Sequence, residues 1–232
     1  MIEVVVLAGG AGKRLRGVVS DVPKPMAPVG GKPFLDLVLS SLENKGIREV
    51  VLSVGYKAEK IIDYFGSSYR RLQISYAREK EPLGTGGAIK CALNYVKGDT
   101  ALVINGDTFL DLEIRELLQT KNTTRNSIIV ARQTKDAERF GTISFSGAKV
   151  TSFSEKLLTG PAVINAGVYL LSRSELDAFD VGQRFSLEEE YLPKACEQGK
   201  FNIFISRGDF LDIGTPEDYL RAESHLANYI DV

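Results

Sequence analysis

An apolar, β-branched run, Ile2–Leu7, passes directly into Ala8-Gly9-Gly10-Ala11-Gly12-Lys13-Arg14-Leu15. Such a run reads as a buried strand, and the glycines place a turn free of bulky side chains at its carboxyl end. Ten residues after Arg14 stands Lys24, in Pro23-Lys24-Pro25-Met26. Backbone N–H groups of a glycine turn can close on phosphate oxygens, and two cations can neutralise their charge. The pattern suits a polyphosphate. A tight structural turn is the plainer reading of the glycines alone.

The same punctuation continues along the chain. Strands are expected at Glu49–Val54, Gln73–Ala77 and Thr100–Ile104, and helices at Pro33–Asn44, Ala58–Phe65 and Thr85–Val96. Strands alternating with helices predict a doubly wound α/β fold with a mostly parallel sheet between helical layers. The second half differs. Ser127–Ala131, Gly141–Phe145, Val150–Phe153 and Val163–Leu171 read as closely spaced strands, with a hairpin turn at Ser146-Gly147. Helices are expected at about Leu187–Gln198 and Pro216–Asn228, with strands Asn202–Ile205 and Phe210–Asp212 between them. One domain spanning 1–232 is expected, with a nucleotide-binding half over about 1–110 and a mixed-sheet half over about 111–232.

Composition excludes several function classes. A net charge of −1 argues against a nucleic-acid footprint. No apolar run approaches the roughly 18 residues of a membrane span. The N-terminus leads into the strand with the main motif, so no signal peptide is expected. Cys91 and Cys196 make neither a disulfide framework nor a zinc site, and they fit a reducing cytoplasm. His225 is the sole histidine, which excludes a histidine dyad or a multi-histidine metal centre. His225 is expected on the surface and Cys91 in the core. Glu188-Glu189-Glu190 reads as a solvated helix face, with Glu188 able to point inward.

The glycine loop fails two familiar motifs. A phosphate-binding loop of the Walker type needs glycine where Leu7 stands and a hydroxyl residue where Arg14 stands. A dinucleotide fingerprint over Gly10-Ala11-Gly12 needs glycine at Leu15. The prolines around Lys24 hold that lysine in a stiff, extended segment. Asp107 closes a strand in Asn105-Gly106-Asp107, where a carboxylate can hold magnesium beside phosphate oxygens. Asp212 and Asp209 compete for the second metal position. Leu83-Gly84-Thr85-Gly86 is a second glycine turn that opens a helix. In open α/β sheets the ligand lies at the carboxyl ends of strands, and Gly9-Gly10, Gly55 and Asp107 all fall there.

Taken in order, these pieces resemble the sugar-1-phosphate nucleotidylyltransferase family. The matching motifs are Gly9-Gly10-Ala11-Gly12-Lys13-Arg14-Leu15, Pro23-Lys24-Pro25, Leu83-Gly84-Thr85-Gly86, Gly106-Asp107, Glu155-Lys156, Asn165-Ala166-Gly167 and Asp212-Ile213-Gly214-Thr215. They span almost the whole chain. The resemblance implies a Rossmann-like, glycosyltransferase-A-like three-layer αβα fold. It implies catalytic roles for Arg14, Lys24 and Asp107, and Mg²⁺ on Asp107 and Asp212. Nucleotide contacts are implied for Leu7, Ala8, Gly9, Gly10, Gly12, Lys13, Gly55, Gly84, Thr85 and Asp107. Sugar contacts are implied for Gly141, Glu155, Lys156, Asn165 and Asp212. Lys13 departs from the family's usual threonine. The stretch Leu15–Val29 looks most like the short members that make GDP-heptose for surface polysaccharides, with GTP and a heptose 1-phosphate as substrates. Mannose, glucose or muramic acid 1-phosphates with other nucleotides are the alternatives, and a non-catalytic nucleotide-sugar-binding subunit is the rival class. The chain has no room for the family's C-terminal β-helix, so acyltransferase activity is not expected. The sequence fixes no oligomeric state, and a homo-oligomer is left open.

Overall fold

The computed structural model describes residues 2–10, 12, 15, 17–19, 21–155 and 159–230. The first half runs β1 (Glu3–Leu7), a short hairpin of β2 (Pro28–Val29) and β3 (Lys32–Pro33), α1 (Phe34–Asn44), β4 (Glu49–Val54), α2 (Ala58–Phe65), β5 (Ser68–Tyr69), β6 (Leu72–Arg78), α3 (Gly84–Leu93) and β7 (Thr100–Asn105). The second half runs β8 (Thr108–Leu110), α4 (Ile114–Asn122), β9 (Ser127–Thr134), β10 (Thr142–Ser146), β11 (Lys149–Ser154), β12 (Ala162–Ser172), α5 (Leu192–Glu197), β13 (Phe201–Ile205), β14 (Phe210–Asp212), α6 (Pro216–His225) and α7 (Ala227–Ile230).

Ten strands form one sheet in the order β10-β11-β13-β9-β12-β7-β1-β4-β6-β5. β7, β1, β4 and β6 are mutually parallel. β12 enters antiparallel between β7 and β9, which makes the sheet mixed as expected. Alternate residues of β1 serve opposite faces. Val4 and Val6 join a core with α1, α2, α4 and α6, while Val5 joins a second core with α3 and α5. Helices therefore cover both faces, giving the three-layer α/β architecture.

The chain lays down β1, β4 and β6 in one direction and then crosses back to place β7 on the other flank of β1. The loops after β1 and β7 diverge at this switch point and open a crevice between them. β8 and β14 form a separate two-stranded sheet, with Asp212 opposite Thr108.

Several local expectations are corrected. The helix expected over Leu187–Gln198 opens as a wide turn over Leu187–Tyr191 before α5 begins. Pro193 lies in the first turn of α5, where its missing N–H costs no helical bond. The helix expected over Pro216–Asn228 divides into α6 and α7. Thr215 caps α6 by accepting the Asp218 N–H at 3.3 Å. The β10–β11 turn falls at Gly147-Ala148, one residue later than expected. α4 had no sequence expectation, because only Ile114 and Leu117 are buried along it and no apolar stripe forms. His225 is exposed as expected, whereas Cys91 is only half-buried.

Phe34 opens α1 and is fully buried in the larger core. Phe34→Ala is expected to cost about 3–5 kcal/mol of stability. Urea unfolding should show an earlier midpoint with an unchanged slope.

Candidate active site

A cleft of about 300 Å³ opens at the switch point, with Leu7, Gly10, Gly12, Lys24, Asn105, Asp107 and Gly214 among its walls. Its loop is shaped by backbone as much as by side chains. Gly12 adopts φ +57°, and a Cβ there would stand 2.8 Å from the Lys24 Cβ. The Gly106 N–H donates to the Leu7 carbonyl at 2.9 Å, tying the loop after β7 to the end of β1.

Pro23 is extended (φ −64°, ψ 151°) and feeds a single 3₁₀ turn, Lys24–Met26. This turn carries the Lys24 side chain into the cleft, where only 9% of it remains exposed. Its Nζ lies 2.5 Å from Asp107 Oδ2. A cation so placed is held by its carboxylate partner and aimed at the cleft. Removing either member leaves an unpaired charge in a partly dry site.

Asp212 reaches the same place through the β8–β14 pairing. Its Oδ2 accepts the Thr108 hydroxyl at 3.2 Å and its Oδ1 the Gly214 N–H at 2.6 Å. The Ile213 N–H donates to the Asp107 carbonyl at 3.0 Å. Burial, and next the Asp107 charge, push the Asp212 carboxyl up to about 6, while Lys24 and its two hydrogen bonds oppose the shift. Asp209, the competing residue, points elsewhere. Its carboxylate accepts the Tyr229 hydroxyl at 2.9 Å and its carbonyl accepts the Asp111 N–H. The two aspartates at the cleft are therefore Asp107 and Asp212. Beside them Asn105 Oδ1 is buried with no hydrogen-bond partner among the described residues. These all-oxygen groups, on two repelling carboxylates, fit a hard cation such as magnesium that completes its shell with phosphate oxygens and water.

A second cavity of about 620 Å³ continues from the first through Leu7, Gly10 and Thr85. Gly9, Gly55, Tyr56, Glu79, Gly84, Ala88 and Arg184 line it further out. The Tyr56 N–H donates to the Gly9 carbonyl at 3.1 Å, and the Ala8 N–H to the Ser53 carbonyl at 2.7 Å. The larger cavity suits a nucleoside, with its phosphates over the smaller one. Of the expected nucleotide residues, Leu7, Gly9, Gly10, Gly12, Gly55, Gly84, Thr85 and Asp107 line the two cavities, Ala8 is fully buried in the core behind them, and Lys13 and Arg14 lie outside the described residues.

Of the expected sugar residues, Gly141, Glu155 and Asn165 lie near one another beyond Thr85, whereas Asp212 lies beside Asp107. The Asn165 N–H donates to the Gly141 carbonyl at 2.8 Å, and a Cβ on Gly141 would stand 2.6 Å from Glu155 Oε1. Lys156 lies outside the described residues. Asn165 Nδ2 donates to the Tyr169 hydroxyl at 2.7 Å, which donates to Glu188 Oε1 at 3.1 Å. Burial holds the Tyr169 proton in place far above its ordinary range. The Thr85 hydroxyl donates to the other Glu188 oxygen and accepts the Leu187 N–H at 2.9 Å. Glu188 therefore faces inward, while Glu189 and Glu190 are exposed. It joins the nucleotide side of the cleft to the sugar side. Tyr169, Thr108, Glu79 and Arg184 are site residues the sequence did not flag. Tyr169 looked like core within an apolar strand, and the others carry no motif.

The Nucleotidyl transferase family model matches residues 3–229. The chain belongs to the nucleotidyl transferase family. It is 41% identical over 230 residues to a D-glycero-α-D-manno-heptose 1-phosphate guanylyltransferase of Aneurinibacillus thermoaerophilus, covering 99% of this chain and 100% of that protein. A mannose-1-phosphate guanylyltransferase of Mycobacterium tuberculosis is 35% identical, matched over 99% of this chain and 66% of its own length. The crystal structure of HddC from Yersinia pseudotuberculosis superposes with a TM-score of 0.87 at 38% identity, covering 97% of this chain and 99% of that one. HddC has also been solved in complex with GMP-PN, and that form superposes with a TM-score of 0.86. As a nucleotidyl transferase, the chain places its glycine loop, Lys24 and paired aspartates at the sheet's switch point.

A Cβ on Gly214 would collide with Asp212 Oδ1 and stand 3.5 Å from Lys24 Nζ. Gly214→Ala should displace the Asp212 carboxylate and lower turnover by about 10²-fold, as expected for misplacement on the order of 1 Å. Circular dichroism should show an unchanged fold.

Proposed function

We propose that the chain transfers GMP from GTP to D-glycero-α-D-manno-heptose 1-phosphate, giving GDP-heptose and pyrophosphate. The observation that carries this reading is the convergence of Lys24 and Asp107 on a phosphate-sized cleft, with Asp212 beside them, in a chain matched over 99% of its length by a heptose 1-phosphate guanylyltransferase. The cleft supports nucleotidyl transfer, and the relative supports the choice of substrates.

The chemistry needs no general base. The attacking sugar phosphate is already ionised, and its oxygen displaces pyrophosphate from the α-phosphorus in line. The obstacle is bringing two polyanions into contact. The glycine loop presents backbone N–H groups to the triphosphate, and Lys24 places a fixed positive charge where negative charge gathers in the transition state. Asp107 holds the Lys24 ammonium in position. Magnesium bound at Asp107 and Asp212 would supply further neutralisation of phosphate charge. Arg14 and Lys13 would add cations from the glycine loop, and Gly141, Glu155, Lys156 and Asn165 would engage the sugar. Among the described residues, no helix is long and apolar enough to cross a membrane.

Lys24→Ala should lower kcat by about 10²-fold or more. Asp107→Ala should abolish magnesium-dependent turnover. Pyrophosphate release across GTP, UTP, CTP, dTTP and ATP against heptose, mannose, glucose and muramic acid 1-phosphates tests the assignment. Activity is expected with GTP and the heptose. Activity with UTP and none with GTP would refute the guanylyl reading, and near-normal release by both variants would refute the roles of these residues.

A further inference from the structure

Lys24, Asp107 and Asp212 stand on three short arms of the chain. Lys24 lies just before the β2–β3 hairpin, Asp107 just before β8, and Asp212 at the end of β14. None of these arms belongs to the ten-stranded sheet. The β8–β14 ribbon is three residue pairs long and the β2–β3 hairpin only two. Two-stranded pieces of this size are not stable alone, so packing outside the sheet must hold them.

All three arms meet α6 and α7. The Tyr219 hydroxyl of α6 donates to the Pro28 carbonyl at 2.7 Å. In α7 the Ile230 side chain covers Gly30, where a Cβ would stand 2.7 Å from it. The Ile230 carbonyl accepts the Lys32 ammonium at 3.2 Å. These contacts hold the arm that carries Lys24. Tyr229 holds the other two. Its ring packs on Phe109 of β8, with centroids 4.7 Å apart. Its hydroxyl lies 3.1 Å from Asp111 Oδ2 and 2.9 Å from Asp209 Oδ2. Asp111 follows β8 and Asp209 precedes β14, so they stand at the opposite end of the ribbon from Asp107 and Asp212.

A phenol has one proton to place between these two carboxylates. Burial, and next the Asp209 hydrogen bond, hold that proton on Tyr229 above its ordinary range. Lys45 pairs with Asp111 Oδ1 at 2.5 Å and offsets part of the like charge. Without the phenol proton the two carboxylates would repel with no donor between them, and the ribbon would open at that end. We propose that α6 and α7 form a clasp that sets the spacing of Lys24, Asp107 and Asp212, with Tyr229 and Ile230 as positioning residues for the transfer step. Tyr229 aligns the ribbon of the two aspartates, and Ile230 seats the Lys24 arm. This rests on the nucleotidyl-transfer reading above.

The test measures pyrophosphate release with GTP and the heptose 1-phosphate on the whole chain. Tyr229→Phe keeps the ring on Phe109 and removes only the hydroxyl. Its kcat should fall about tenfold, less than the loss for a full 1 Å misplacement. The larger cavity takes no residue from α6 or α7, so KM for GTP should stay within about twofold. Adding Asp209→Asn to Tyr229→Phe removes one charge and supplies an amide donor for Asp111. That double variant should recover kcat to within about threefold of the wild type. Ile230→Ala should also lower kcat about tenfold at unchanged KM for GTP, and Asp209→Asn should not rescue it. Hydrogen exchange at the Ile213 N–H, which donates to the Asp107 carbonyl, should quicken in Tyr229→Phe and slow again in the double variant. If Ile230→Ala does not fold, Ile230→Val makes the same comparison with a smaller change. A clasp that only added stability would lower the urea midpoint and leave kcat of the folded variants intact, and that result overturns the proposal. A Tyr229→Phe loss that Asp209→Asn fails to rescue overturns the role of the hydroxyl. An active wild type whose variants keep full kcat refutes the clasp alone, whereas a wild type that releases no pyrophosphate with any nucleotide refutes the transfer reading itself.

Discussion

β1 lies between β7 and β4, and every part of the cleft depends on that placement. The strand is buried on both faces, so its parallel pairing is fixed by two hydrophobic cores at once. Its carboxyl end then has one destination, the gap between loops that leave the sheet in opposite directions. The glycine turn, the Lys24 segment and Asp107 meet there because the sheet brings them there. The ion pair between Lys24 and Asp107 joins residues 83 positions apart, and no local preference could produce it.

Charge governs the chemistry of the site. Two aspartates repel within it, and one buried lysine compensates them only in part. Burial first, and the Asp107 charge second, raise the Asp212 pKa. The scarcity of histidine is consistent with this chemistry, because an ionised phosphate nucleophile has no proton to lose.

The second half of the chain serves the first. β12 extends the sheet beside β7, and the β8–β14 pair carries Asp212 across to Asp107. Glu188 lies between the Thr85 and Tyr169 hydroxyls, so the turn at Thr85 and the Asn165 region share one half-buried carboxylate. The π-like turn over Leu187–Tyr191 delivers it there. A short run of three glutamates reads as a surface feature, but one of its members is drawn inward by three hydroxyl groups, those of Thr85, Tyr169 and Ser186.

The sequence by itself determined the alternation of strands and helices and the glycine turn after β1, and it singled out Lys24 and Asp107, which the structure brings together. These are local patterns: apolar periodicity, glycine punctuation and prolines that stiffen one segment. It could not choose between Asp209 and Asp212, because both flank the same short strand and only the pairing with Thr108 decides which faces the cleft. It passed over α4, whose face is mostly polar, and over Tyr169, which looks like core until its hydroxyl is seen between Asn165 and Glu188. Glu79 was equally silent, an acidic residue after a strand among other charges. Its place is a cavity built by β1, β4, β6 and α3 together, and side chains from four separate elements converge only when tertiary packing closes the sheet.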